Sequence, residues 1–166
     1  MAVVTSYGSL VMTGLVSAVV TKAPAGTAGG RQKKWVETVE TGAADSTSST
    51  YLMARLHSSD RIFGSSRISH DALGSTTTTI DIGVYNTGSR TDFTDDDDIL
   101  NSGIVASTAG TKEFLVDRSK WGQRLWEIAG LSADPKSMMD VKLVLRDAHL
   151  SSGSGTITVE IDYASD

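Results

Sequence analysis

Near its C-terminal end the chain reads Thr156-Ile157-Thr158-Val159-Glu160-Ile161-Asp162-Tyr163. Ile157, Val159, Ile161 and Tyr163 alternate with Thr158, Glu160 and Asp162. Successive side chains of a strand point to opposite faces, so this pattern predicts one buried aliphatic row and one solvated row. The same period recurs in Thr76–Tyr85, where Ile80, Ile82 and Val84 alternate with Asp81, Gly83 and Tyr85. It recurs again where Val141, Leu143 and Leu145 alternate with Lys142, Val144 and Arg146. Between the last two segments lies Leu150-Ser151-Ser152-Gly153-Ser154-Gly155, a turn composition that predicts a C-terminal hairpin.

Working outward, Lys33–Thr41, Tyr51–Leu56, Arg61–Ser69, Ile99–Ser107 and Lys112–Val116 read as further strands, with His57-Ser58-Ser59-Asp60 as a turn. Trp121–Ala129 reads as one short helix ended by Gly130. The sum is about eight strands with closely spaced turns, which favours an all-β, antiparallel β-sandwich, jelly-roll-like, over α/β. No repeat of roughly 20–50 residues is visible, which argues against propellers and solenoids.

Residues 1–34 form an N-terminal strand or arm, and 35–166 the β-sandwich domain. The small-residue stretch Lys22–Gly30 reads as a linker. Residues 1–30 are either an extended arm or the source of the first strand. The apolar run Leu10–Val20 is too short to span a bilayer, and Met1–Ser9 lacks the positive start of a signal peptide. No membrane partner is expected.

The 166 residues carry a formal charge of -5 and no cysteine. That sign disfavours non-specific nucleic-acid binding, which needs clustered Lys and Arg. Disulfides and cysteine chemistry are excluded. Residues 1–34 hold Lys22, Arg31, Lys33 and Lys34 and no acid. Arg31, Lys33, Lys34 and Trp35 are therefore the candidate partner-binding residues. Either the basic stretch lies on an acidic neighbour, or it is a short arm with no dedicated partner.

Chemistry is sparse. His57, His70 and His149 lack zinc-ligand spacing. Asp95, Asp96, Asp97 and Asp98 could hold calcium, but they lack the order of a calcium loop. The competing reading is a solvated acidic loop. Glu37 and Glu40, three apart on a strand, point to opposite faces and cannot share a glycosidase cleft. No nucleophile elbow, phosphate loop or dinucleotide fingerprint occurs. Trp35, Trp121 and Trp126 serve either as a sugar-stacking platform or as core and interface packing. No cofactor and no enzymatic activity are expected.

The segment Tyr51–Tyr85, with Asp71-Ala72-Leu73-Gly74 leading through Thr-rich residues to Ile80-Asp81-Ile82-Gly83, resembles a group of small phage virion proteins encoded beside the major capsid protein. Leu125-Trp126-Glu127-Ile128-Ala129-Gly130-Leu131 before Asp134-Pro135, and the Gly/Thr-rich C-terminal strands, are similar to the same group. The resemblance covers about residues 35–166 and rests on turn and strand patterns with no catalytic signature. It implies a capsid decoration or cement subunit, with the major capsid protein as partner. It also implies a homo-oligomer, a trimer favoured, on the capsid exterior of a virion assembled in the host cytoplasm. The alternative is a carbohydrate-binding, host-recognition module of a head fibre or tail.

Overall fold

A computed structural model describes residues 31–42, 45, 48–74, 78–87, 98–146 and 155–165. Nine strands form two antiparallel sheets. They are β1 (Gln32–Thr41), β2 (Thr50–His57), β3 (Arg61–Ile62), β4 (Arg67–His70), β5 (Thr79–Asn86), β6 (Asn101–Val105), β7 (Gly110–Glu113), β8 (Met138–Arg146) and β9 (Gly155–Ala164). One sheet, called A, has the order β1-β9-β4-β7, with β3 also on β9; the other, B, has β2-β8-β5-β6.

The pairings are nested. β1 pairs β9, β2 pairs β8, β4 pairs β7 and β5 pairs β6. A chain folded as one long hairpin and then rolled so that alternate pairs fall in opposite sheets has this order, which is the double-sheet jelly roll.

The alternating rows build the core. Ile80, Ile82, Val141, Leu143, Leu145, Ile157, Val159 and Ile161 are all completely buried, and Val84 nearly so. They join one cluster with Met53, Phe114, Leu115 and Leu125. Each such aliphatic side chain contributes about 1.5–3 kcal/mol when taken from water.

Four expectations need correction. The C-terminal hairpin does not form: β8 lies between β2 and β5 in sheet B, and β9 lies between β1 and β4 in sheet A. Both strands have neighbours on each side, so neither has an edge left for the other. Asp81, Gly83 and Tyr85 are not a solvated row; all three are buried. Arg61–Ser69 is two short strands on the same neighbour, interrupted by a turn in which Ser66 N–H donates to Phe63 O. Trp121–Ala129 is not one helix. A 3-10 turn at Arg118–Lys120 precedes a single α-turn, α1 (Leu125–Ile128). Gly122, at φ 73, breaks the path between them, and Gly130, at φ 70, ends α1 in the left-handed conformation.

Candidate interaction surfaces

β1 carries the expected partner-binding residues. Arg31, just before it, is exposed. Lys33 and Lys34 pair with Tyr163 and Asp162, so their side chains leave opposite faces of the sheet. Lys34 Nζ lies 2.8 Å from Glu160 and 3.6 Å from Asp162. Hydrogen bonding to Glu160 first, then Asp162, raises its pKa. Lys33 Nζ donates to Ser165 Oγ at 2.9 Å and stands 5.8 Å from the Tyr163 ring centroid. Trp35 is half-buried against the core, with its indole Nε1 buried and without a partner.

Among the described residues β1 is an edge strand of sheet A. Thr38 N–H meets Glu37 Oε1 at 3.3 Å instead of a neighbouring strand. Glu37 opposes fully buried Val159, so it sits on the inner side of the sheet, half-buried. An inward-leaning charge on an edge discourages a further strand from adding there. Glu40, on the other face, accepts from Thr156 Oγ1 at 2.7 Å.

Asp95, Asp96 and Asp97 lie outside the described residues, as does His149, and Asp98 is exposed. Among the described residues no group of three or more His, Asp or Glu side chains is arranged to hold a metal. His70 is buried inside the sandwich, with Nδ1 2.9 Å from Asp71 O. Trp126 packs against the core. Trp121 is 42% exposed, but its ring is engaged. A Cβ added at Gly64 would come within 2.1 Å of Trp121 Cε2, and the Arg118 guanidinium stands 5.6 Å from the ring centroid. Its N–H donates to Leu115 O.

Sequence reading missed a cleft of about 420 Å³ where β1 and β8 begin and β2 and β9 end. Lys33, Arg55, His57, Asp60, Met138 and Tyr163 line it. The turn at 57–60 shapes one wall. Asp60 Oδ2 accepts from His57 N–H at 2.9 Å, and Asp60 N–H returns to His57 O. Ser58 Oγ donates to Asp134, which with the Lys136 N–H holds that carboxyl below the usual aspartate range. Burial, and then the Asp60 charge, push the Tyr163 phenol up, so it stays a hydroxyl. Arg55 Nε and Nη2 bind Asp140 at 2.7 and 3.2 Å. These residues are scattered along the chain, and no local motif signals them.

On the opposite side, β6 and β7 are edge strands of the two sheets among the described residues. Asn101 Nδ2 bridges to Glu113 O, and exposed Val105 and Val116 border a shallow groove there.

The fold and these surfaces define a jelly-roll module with a cleft lined by Lys33, Arg55 and Asp60. No family model matches the sequence, and no curated protein matches it. Two solved phage structures contain chains of similar fold. One is in the capsid of Ralstonia phage GP4, with TM-score 0.60 and 12% identity, covering 89% of this chain and 92% of that one. The other is in the capsid asymmetric unit of cyanophage Pam1, with TM-score 0.56 and 16% identity, covering 90% of this chain and 95% of that one. At these identities the likeness is one of fold. Because both chains of each pair are covered nearly end to end, the matched capsid chains are close to this one in length.

Proposed function

We propose that this protein is a non-enzymatic structural subunit of a phage virion that binds the exterior of the assembled capsid and stabilises it. The observation that carries the reading is the end-to-end fold likeness to whole chains of two phage capsids. A subunit that binds only the assembled shell stabilises it by mass action. Self-association into a trimer multiplies weak contacts into durable attachment. The major capsid protein is the partner in this reading, with Arg31, Lys33 and Trp35 as its contact residues. Lys34 is already committed to Glu160 and Asp162.

The test is the copy number of this chain relative to the major capsid protein in purified particles. A number comparable to that of the capsid protein supports a shell-wide cement. A number matching only vertices, neck or tail overturns it and moves host recognition to first place.

A further inference from the structure

We infer that the cleft between Lys33, Arg55 and His57 is a docking site for a carboxylate side chain on an acidic segment of the shell. This rests on the capsid reading and names the chemistry of its contact. The chain carries -5 overall, yet the cleft is lined by two fixed cations, Lys33 and Arg55, against one acid, Asp60. One oxygen of that acid, Oδ2, is occupied by the backbone N–H of His57.

The lining is a set of donors. His57 Nδ1 is held against Ser59, 3.3 Å from its backbone N–H and 2.9 Å from its hydroxyl. Lys33 has three N–H bonds, and Ser165 Oγ takes one. The Arg55 fork is held rigid through Nε and Nη2 by Asp140, which is 1% exposed. A rigid guanidinium beside an ammonium matches an acceptor-only group such as a carboxylate. Exposed Met138 and buried Leu56 supply apolar wall for the stem of an acidic side chain.

The experiment uses the full chain and shells stripped of it. Lys33→Glu and Lys33→Glu/His57→Gln are compared with Lys112→Glu, the same charge change on the far β7 edge. Arg55 is left intact, because its loss would strip a buried Asp140. Co-sedimentation should show about tenfold weaker binding for both cleft variants, a shallower salt dependence, and wild-type behaviour for Lys112→Glu. Circular dichroism checks that each variant is folded; Lys33 is exposed, so the single variant keeps the test valid if the double variant fails.

Wild-type affinity and salt dependence in Lys33→Glu overturn the cleft and leave the capsid reading standing. Equal weakening by Lys112→Glu also overturns it, because the effect is then net charge. Loss of self-association with shell binding intact overturns the shell as occupant. If the wild-type protein binds no shell, the capsid reading itself fails. The cleft is then decided by titrating the chain with acetylated tetraglutamate amide: a shift of the His57 ring signals supports it, and no shift overturns it.

Discussion

The outer faces of the two sheets start from the same alternation and end in different environments. On sheet A the register aligns Thr38, Thr158, Ser69 and Thr111 in one row across β1, β9, β4 and β7. Thr38 and Thr158 share a hydroxyl–hydroxyl bond of 3.0 Å, as do Ser69 and Thr111. This row is open or half-open to solvent. On sheet B the equivalent row is Arg55, Asp140 and Tyr85 across β2, β8 and β5. Asp140 and Tyr85 are 1% and 3% exposed, and Lys142 only 8%. Lys142 Nζ stands 4.8 Å from the Tyr85 ring centroid and 4.0 Å from Asp140. Nearby, Asp81 binds Arg146 at 2.8 Å and accepts from Gly103 N–H at 2.7 Å.

The contrast teaches that a polar residue on a strand does not mark a wet face. This row of sheet A keeps neutral hydroxyls that water could serve equally well, and the charged group of Lys34, Glu160 and Asp162 lies further along β1 and β9. Sheet B buries charges, and burial requires that each be paired and hydrogen-bonded. Stability should therefore be sensitive on the charged row of B and tolerant on the hydroxyl row of A.

The two cores provide the reference for the largest effect. Ile82→Asp in sheet B and Val159→Asp in sheet A each put an unpaired charge at a completely buried position. Each should cost more than about 4 kcal/mol and leave no cooperative thermal transition by circular dichroism. A folded, soluble variant of either would mean that the assigned inner face is wrong.

Asp140→Ala comes next. It leaves Lys142 buried without its nearby carboxylate and frees the Arg55 fork. A loss of about 3 kcal/mol is expected in urea unfolding, because one partner of a buried ionic group has been removed. A loss as small as that on sheet A would erase the contrast.

Acid titration probes the rim between the faces. The Tyr51 hydroxyl and then the Gly42 N–H bind Asp45 and lower its pKa from 3.8. The native state favours the carboxylate, so this stabilisation is present above the ordinary value and is lost as pH falls through the lowered one. Asp45→Asn should flatten the fall in melting temperature at pH below 3.8. An unchanged acid limb would remove Asp45 from the account. The smallest effect belongs to Thr158→Val, which should shift stability by no more than about 0.5 kcal/mol. A large loss there would show the hydroxyl ladder of sheet A to be as demanding as the charge ladder of sheet B.

Much of the fold was legible. The period-two rows of β5, β8 and β9 identified the buried aliphatics residue by residue, and Gly130 was read correctly as a helix end. The cleft was not legible, because Lys33, the stretch from Arg55 to Asp60, Met138 and Tyr163 come from four separate places along the chain. The basic cluster was read as one unit, but the pleat sends Lys33 toward the cleft and Lys34 toward Glu160.

By itself the sequence determined which side of β5, β8 and β9 turns inward, because that follows from alternation within a few residues. Only the tertiary structure decided which strands pair. β8 and β9 are neighbours in sequence, yet each prefers partners far away, with Lys33 and Ser165 meeting across 132 positions. Pairing and the burial of the outer face of sheet B depend on how the whole chain rolls. A local pattern says which face is apolar; it carries no information about what will cover the other one.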